Sequence, residues 1–174
     1  MSDGSWQIGP SRRARPPSKR LRRASSTGDD PMSRGNPAID ANIAVVRAFY
    51  DGAVRKDSAV ARALVHPDFV CSAPDYLPWG GTVAGGAKYL DVILPQVGRV
   101  LDFGRFSYDS ITADEDRVIA LINVGVTCTD AMLKISEHIT VRDGKMTSIW
   151  VAYFEPKRLL EQLLHNTKAD AGLL

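Results

Sequence analysis

Cysteine is scarce in this 174-residue chain: there are two, Cys71 and Cys128, and neither has a second Cys or a His at metal-ligand spacing. That excludes a disulfide scaffold and a thiolate metal centre. Both thiols fall in apolar, strand-like stretches and are expected to be buried, as suits a reducing, cytoplasmic compartment. Long apolar runs are missing as well. The strongest, Val118 to Val126, is about half of what crosses a bilayer, so no transmembrane helix is expected. The Arg pairs near the N-terminus lack an apolar segment behind them, so no secretory signal is expected either. Gly80-Gly81 and Gly85-Gly86 lack the phosphate-loop fingerprint and a long strand before it. His66 is expected to finish a helix and His138 to face away from the nearest acid, so no metal or other cofactor site is assigned.

The chain does carry enough apolar material for one core: 44% of residues are hydrophobic and 24% charged. One domain with one pocket is expected, plus a tail. Charge is unevenly placed. Residues 1–34 hold eight Arg or Lys against three Asp, which leaves the remainder mildly acidic and argues against a nucleic-acid-binding surface. Residues 1–36, rich in Ser, Arg, Pro and Gly, read as a disordered basic tail. Its clusters at 12–15 and 19–23 could be a nuclear address, a phosphate-binding arm or a kinase target, but such short motifs recur by chance. Met32 followed by Ser33 is a plausible alternative start.

From Asn36-Pro37, an N-cap followed by proline, helical spacing of Ile39, Ile43, Val46 and Tyr50 predicts a helix to about Arg55. Asp57 caps a second helix carrying Val60 and Leu64 inward, which Pro67 stops. A short strand over 68–73, an irregular segment from Pro74 to Gly81, and a third helix from Gly86 that Pro95 ends or kinks complete the first half. After Val100 the period falls to two. Strands are expected over 101–112, 117–128, 132–142 and 145–154, joined by hairpin-type turns of which Asp143-Gly144 is the most specific. A helix over 156–165, with Leu159, Leu160, Leu163 and Leu164 on one side, ends the domain (37–165), and 166–174 is expected to be flexible.

One residue breaks the pattern. Leu133, Ile135, Glu137, Ile139 and Val141 share a strand face on which Glu137 is the sole carboxylate. A buried carboxylate is costly unless paired, so Glu137 either joins an architectural network or lines a cavity where desolvation raises its pKa towards general acid or base use. On the next strand Ile149, Val151 and Tyr153 alternate with Trp150, Ala152 and Phe154. Both faces are apolar and both must be covered, one by the pocket and the other by a second copy of the chain.

Three helices, a short strand and a four-strand meander, with Pro-Trp-Gly-Gly-Thr before helix three and Glu137-His-Ile-Thr-Val-Arg-Asp-Gly-Lys-Met across the hairpin, resemble the nuclear transport factor 2-like (NTF2-like) superfamily. Within it the chain looks most like the SnoaL-like and ketosteroid-isomerase-like branch, over about residues 37–155. The resemblance implies an α+β roll: a cone-shaped, curved mixed sheet wrapped around three N-terminal helices, plus a short C-terminal helix and a deep apolar pocket. Glu137 falls where ketosteroid isomerases keep a protonated aspartic acid. Their helix-one tyrosine falls on Phe49, with Tyr50 one residue along. Their base aspartate falls near Ala73 or Asp75, and only Asp75 would supply a base, which disfavours steroid isomerisation.

The implied pocket is lined by Phe49, Tyr50, Trp79, Tyr89, Ile122, Val124, Val126 and Val151. Glu137, Asp75 and Tyr153 are its candidate catalytic groups, as acid or base, partner, and hydrogen-bond donor. Trp79 stands out because it lies among Pro and Gly on a pocket-rim loop. The implied activity is cofactor-independent acid/base chemistry on a small apolar metabolite such as a polyketide or terpenoid: isomerisation, cyclisation, dehydration or epoxide opening. The competing reading is a non-catalytic binding or dimerisation domain of the same fold.

Overall fold

A computed structural model describes residues 36–172. The expectations for the basic tail and for Met32 lie outside the described residues.

Helix α1 (Pro37–Arg55) starts as expected, with the Asn36 side chain accepting from the Ala38 N–H. It ends at Lys56, which adopts the left-handed conformation at φ 56°. Asp57 caps α2 (Ser58–Leu64) by accepting from the Ala59 N–H.

Strand β1 (Val65–Ala73) follows without a gap and contains Pro67, which does not act merely as a helix stop. Its pairing with the last strand is interrupted between Val65 and Val70, and the missing proline N–H falls inside that irregularity. Strand β2 (Gly81–Ala84), unforeseen in the sequence, pairs antiparallel with β1.

The third helix begins with α3 (Gly86–Lys88), passes through a π-helical turn (Tyr89–Ile93), and continues as α4 (Leu94–Gly98). Pro95 neither ends nor simply kinks it. The wider turn lets the Leu94 N–H reach the Tyr89 carbonyl immediately before a residue that has no N–H to give.

Strands β3 (Leu101–Asp114), β4 (Arg117–Val126), β5 (Met132–Arg142) and β6 (Lys145–Phe154) form the meander. The six strands are ordered β2-β1-β6-β5-β4-β3, and only β1 and β6 run parallel. Register breaks in β3 after Asp102 and after Tyr108 bend the sheet. Asp143 and Gly144 both have positive φ, as their tight hairpin requires.

The sheet curves over the helices without closing, giving the mixed α+β cone expected from the sequence. Its inner face is the core, with Val46, Phe69, Ile122, Ile135, Ile139 and Met146 essentially inaccessible to solvent.

Three details differ from expectation. Cys128 is exposed, because β4 stops at Val126 and Cys128 sits at φ 59° in the turn that follows. Helix α5 (Lys157–Asp170) continues past residue 165. It buries Leu159 and Gln162, while Leu164 is 64% exposed, because four leucines at this spacing span too wide an arc for one contact stripe. On the outer sheet face Trp150 and Phe154 are 51% and 68% exposed, and the His138 ring packs edge-on against Trp150. No helix among the described residues is long and apolar enough to cross a membrane.

Candidate functional site

The cone encloses a cavity of about 310 Å³ between the inner sheet face, α1 and the third helix. Its deep wall comes from alternation on three strands: Ile135 and Glu137 of β5, Ile149, Val151 and Tyr153 of β6, and Cys71 and Ala73 of β1. The third helix adds Tyr89 and Ile93, and α1 adds Phe49 and Tyr50. Lys56, Asp57, Ser58, Arg62, Pro95 and Gly98 are exposed and form its mouth.

Glu137 stands on β5 between Ala120 of β4 and Val151 of β6. The small Ala120 leaves room beside it. What surface Glu137 exposes faces the cavity, and the Tyr50 hydroxyl donates to its Oε2. Burial pushes its pKa up to about 7, against the opposing effect of the Tyr50 hydrogen bond. At neutral pH this carboxyl is therefore divided between acid and base forms, the condition for taking and returning a proton. Tyr50 is fixed by packing. Its ring stacks on Phe106 at 5.2 Å and meets Phe49 edge-on at 5.7 Å.

Four further polar groups, on Cys71, Trp79, Tyr89 and Tyr153, reach the hollow. Tyr153 and Tyr89 keep their protons well above the usual range, chiefly through burial and then through the nearby Glu137 charge. Trp79, beside Tyr153, opposes that rise as a hydrogen-bonding neighbour. Burial pushes the Cys71 thiol up to about 11, so it stays an unreactive thiol. Trp79 is seated by the turn closed by Leu77 N–H to Pro74 O at 3.1 Å and Gly80 N–H to Leu77 O at 2.9 Å.

Phe49, Tyr50, Trp79, Tyr89, Ile122, Glu137, Val151 and Tyr153 are thus brought together as the sequence predicts. Asp75 is not. It is exposed on the turn after β1, outside the cavity wall, and Ala73 occupies the position that faces the hollow. Val124 and Val126 share the inner face but are buried in packing away from the cavity.

Tyr50, not Phe49, meets Glu137, because the turn of α1 directs residue 50 at the centre of β5. The sequence reading missed Cys71, Ala73, Ile135 and Ile149, although strand alternation already placed Ile135 and Ile149 on the face of Glu137 and Val151. It also missed Ile93, for which the proline-linked π turn left no periodic signal. Among the described residues no three His, Cys, Asp or Glu side chains converge as metal ligands do.

A bent sheet cupped around helices, with one buried carboxyl in a largely apolar hollow, fits an NTF2-like α+β protein. Residues 46–149 match the model of the SnoaL-like domain, and the chain belongs to that family. Solved structures share the fold. An NTF2-like protein from Burkholderia xenovorans LB400 is 22% identical, with 70% of this chain and 95% of that one covered at a TM-score of 0.57. TerC, co-crystallised with polyporic acid, is 24% identical over 66% and 92% at 0.58. A putative ketosteroid isomerase from Kribbella flavida is 17% identical over 67% and 80% at 0.56. Among curated proteins none matches the chain significantly.

Proposed function

We propose that the chain is a cofactor-independent acid/base enzyme in which Glu137 alone moves the proton on a small apolar carbonyl compound. The observation that carries this is a carboxyl group poised at about 7, held by Tyr50 and facing a largely apolar cavity in which it is the one buried carboxyl. With Asp75 outside the hollow, one group must both accept and return the proton. In its carboxylate form Glu137 removes the proton α to a carbonyl, and the electron pair moves onto oxygen. The Tyr153 hydroxyl, kept protonated by burial, donates to that developing oxyanion.

Glu137, now an acid, gives the proton back at the γ-carbon of a β,γ-unsaturated substrate as the double bond shifts into conjugation, which is isomerisation, or to a β-hydroxyl that leaves as water as the α,β-double bond forms, which is dehydration. Both routes keep the proton on one face of the substrate. Reactions needing a second fixed carboxylate on the opposite face are disfavoured. That TerC, of the same fold, was co-crystallised with the small molecule polyporic acid is in keeping with a ligand-binding reading of this hollow.

The direct test is hydrogen–deuterium exchange α to the carbonyl of apolar ketones in D₂O, followed by NMR. Wild type should accelerate exchange, and Glu137→Gln should lose about 10²-fold or more of that acceleration. Equal rates in the two proteins would leave the binding-only alternative, which the missing second carboxylate already favours over steroid isomerase chemistry. We further propose that the chain is a homodimer formed through the outer sheet face, where Trp150 and Phe154 are uncovered in the single chain.

A further inference from the structure

The cavity is chemically polarised along its length. Its floor holds the Glu137 carboxyl, whose pKa burial pushes up to about 7, and its mouth carries charged side chains of both signs. Those mouth charges are not equivalent. Arg62 is engaged with Asp91 at 2.6 Å. The Asp57 carboxylate is turned to the Ala59 N–H as a helix cap, at 3.1 Å. Asp102, behind the rim, is held by Arg105 at 2.9 Å and by the Gly104 N–H. Lys56 has no carboxylate within ion-pair distance among the described residues, although its positive charge contributes to holding the Asp102 carboxyl below its usual range.

The backbone of Lys56 is unusual as well. It lies at φ 56° and ψ 33° at the end of α1, where its N–H closes on the Ala53 carbonyl at 3.1 Å. Glycine is favoured there because a Cβ is penalised in the left-handed region. A lysine in that position sets an ammonium at the rim of the hollow at a conformational cost.

We infer that the site takes an anionic amphiphile, its apolar body in the hollow and its carboxylate or similar anionic group at the mouth against the Lys56 ammonium. The opposite orientation would bury the anion beside Glu137, where two negative charges in an apolar wall repel. The same charge pattern therefore selects the ligand and points its uncharged, reacting end at Glu137. This rests on reading the hollow as a ligand site, as proposed above.

The test compares two fluorescent probes of nearly the same shape on the full chain: 1-anilinonaphthalene-8-sulfonate and its uncharged parent N-phenyl-1-naphthylamine. At low ionic strength wild type should bind the sulfonate at least about fivefold more tightly, and salt should erode that preference. Lys56→Gln should remove most of the preference while leaving binding of the uncharged probe within about twofold, and Lys56→Arg should restore it. An unchanged preference in Lys56→Gln, or equal binding of both probes by wild type, overturns the inference. The readout is binding alone, so its failure is distinct from a failure of Glu137→Gln to slow proton exchange.

Discussion

The central residue is a glutamate whose environment works against its charge. Its pKa is raised from the ordinary carboxyl value near 4.5 to about 7, so between those limits the folded chain holds a proton that the unfolded chain has released. The sign follows directly: Glu137 costs nothing below about pH 4.5, and stability falls as pH rises through about 7. The full loss is at most about 3–4 kcal/mol, less to the extent that the cavity is wet. Thermal or urea unfolding of wild type should therefore lose stability across this window, whereas Glu137→Gln should lack that component. Tyr50→Phe removes the hydrogen bond that favours the charged form, so its transition should move to higher pH. A Tyr50→Phe profile coincident with wild type would show that the Tyr50 hydroxyl does not interact with Glu137 in solution.

Sequence alone exposed Glu137 because it interrupts an apolar alternation, and a period of two is preserved wherever one strand face is buried. It could not tell Phe49 from Tyr50, since adjacent helical residues are only about a third of a turn apart and both are aromatic. Nor could it separate Ala73 from Asp75. These lie two apart at the end of a strand, where the chain leaves the sheet and alternation ceases to predict direction.

At the scale of elements, the strands of the meander and the first two helices were readable because caps, periodicity and turn residues agree there. The misses cluster where backbone hydrogen bonding departs from a single pattern. β2 is only four residues long on the sheet edge. Pro67 sits in a register break that no propensity rule anticipates, and Pro95 is accommodated by a wider turn instead of ending its helix.

The Pro74–Gly80 turn shows what such irregular segments contribute. A Cβ at Gly80 would lie 2.3 Å from the Pro74 carbonyl oxygen and 2.8 Å from the Asp75 Cα, both backbone atoms. Gly80→Ala must therefore open the turn that seats Trp79. It should cost on the order of 2–4 kcal/mol, read as a drop in the midpoint of thermal unfolding by circular dichroism. A change under about 0.5 kcal/mol, the range of an ordinary surface substitution, would mean that the turn is not closed as described.

For the molecule as a whole, the two sheet faces divide the work. The inner face is closed by helices except at the cavity, and the outer face leaves Trp150 and Phe154 open, with Ile119 40% exposed across the His138 position of β5. A tryptophan braced by a histidine ring on a half-apolar sheet face is poorly matched to water but well matched to a copy of itself, since a two-fold axis brings identical patches together.

The proposed homodimer makes a definite prediction. Wild type should sediment as a dimer at micromolar concentration, and Trp150→Glu should sediment as a monomer, because two new carboxylates would be forced together across the axis. Since residue 150 points away from the cavity, the variant should keep the pH-dependent stability component of Glu137. A wild type that is monomeric at high concentration would remove the outer face as the interface. A Trp150→Glu protein that remains dimeric would move the contact to another surface, leaving the inner face and its single proton-carrying group as described.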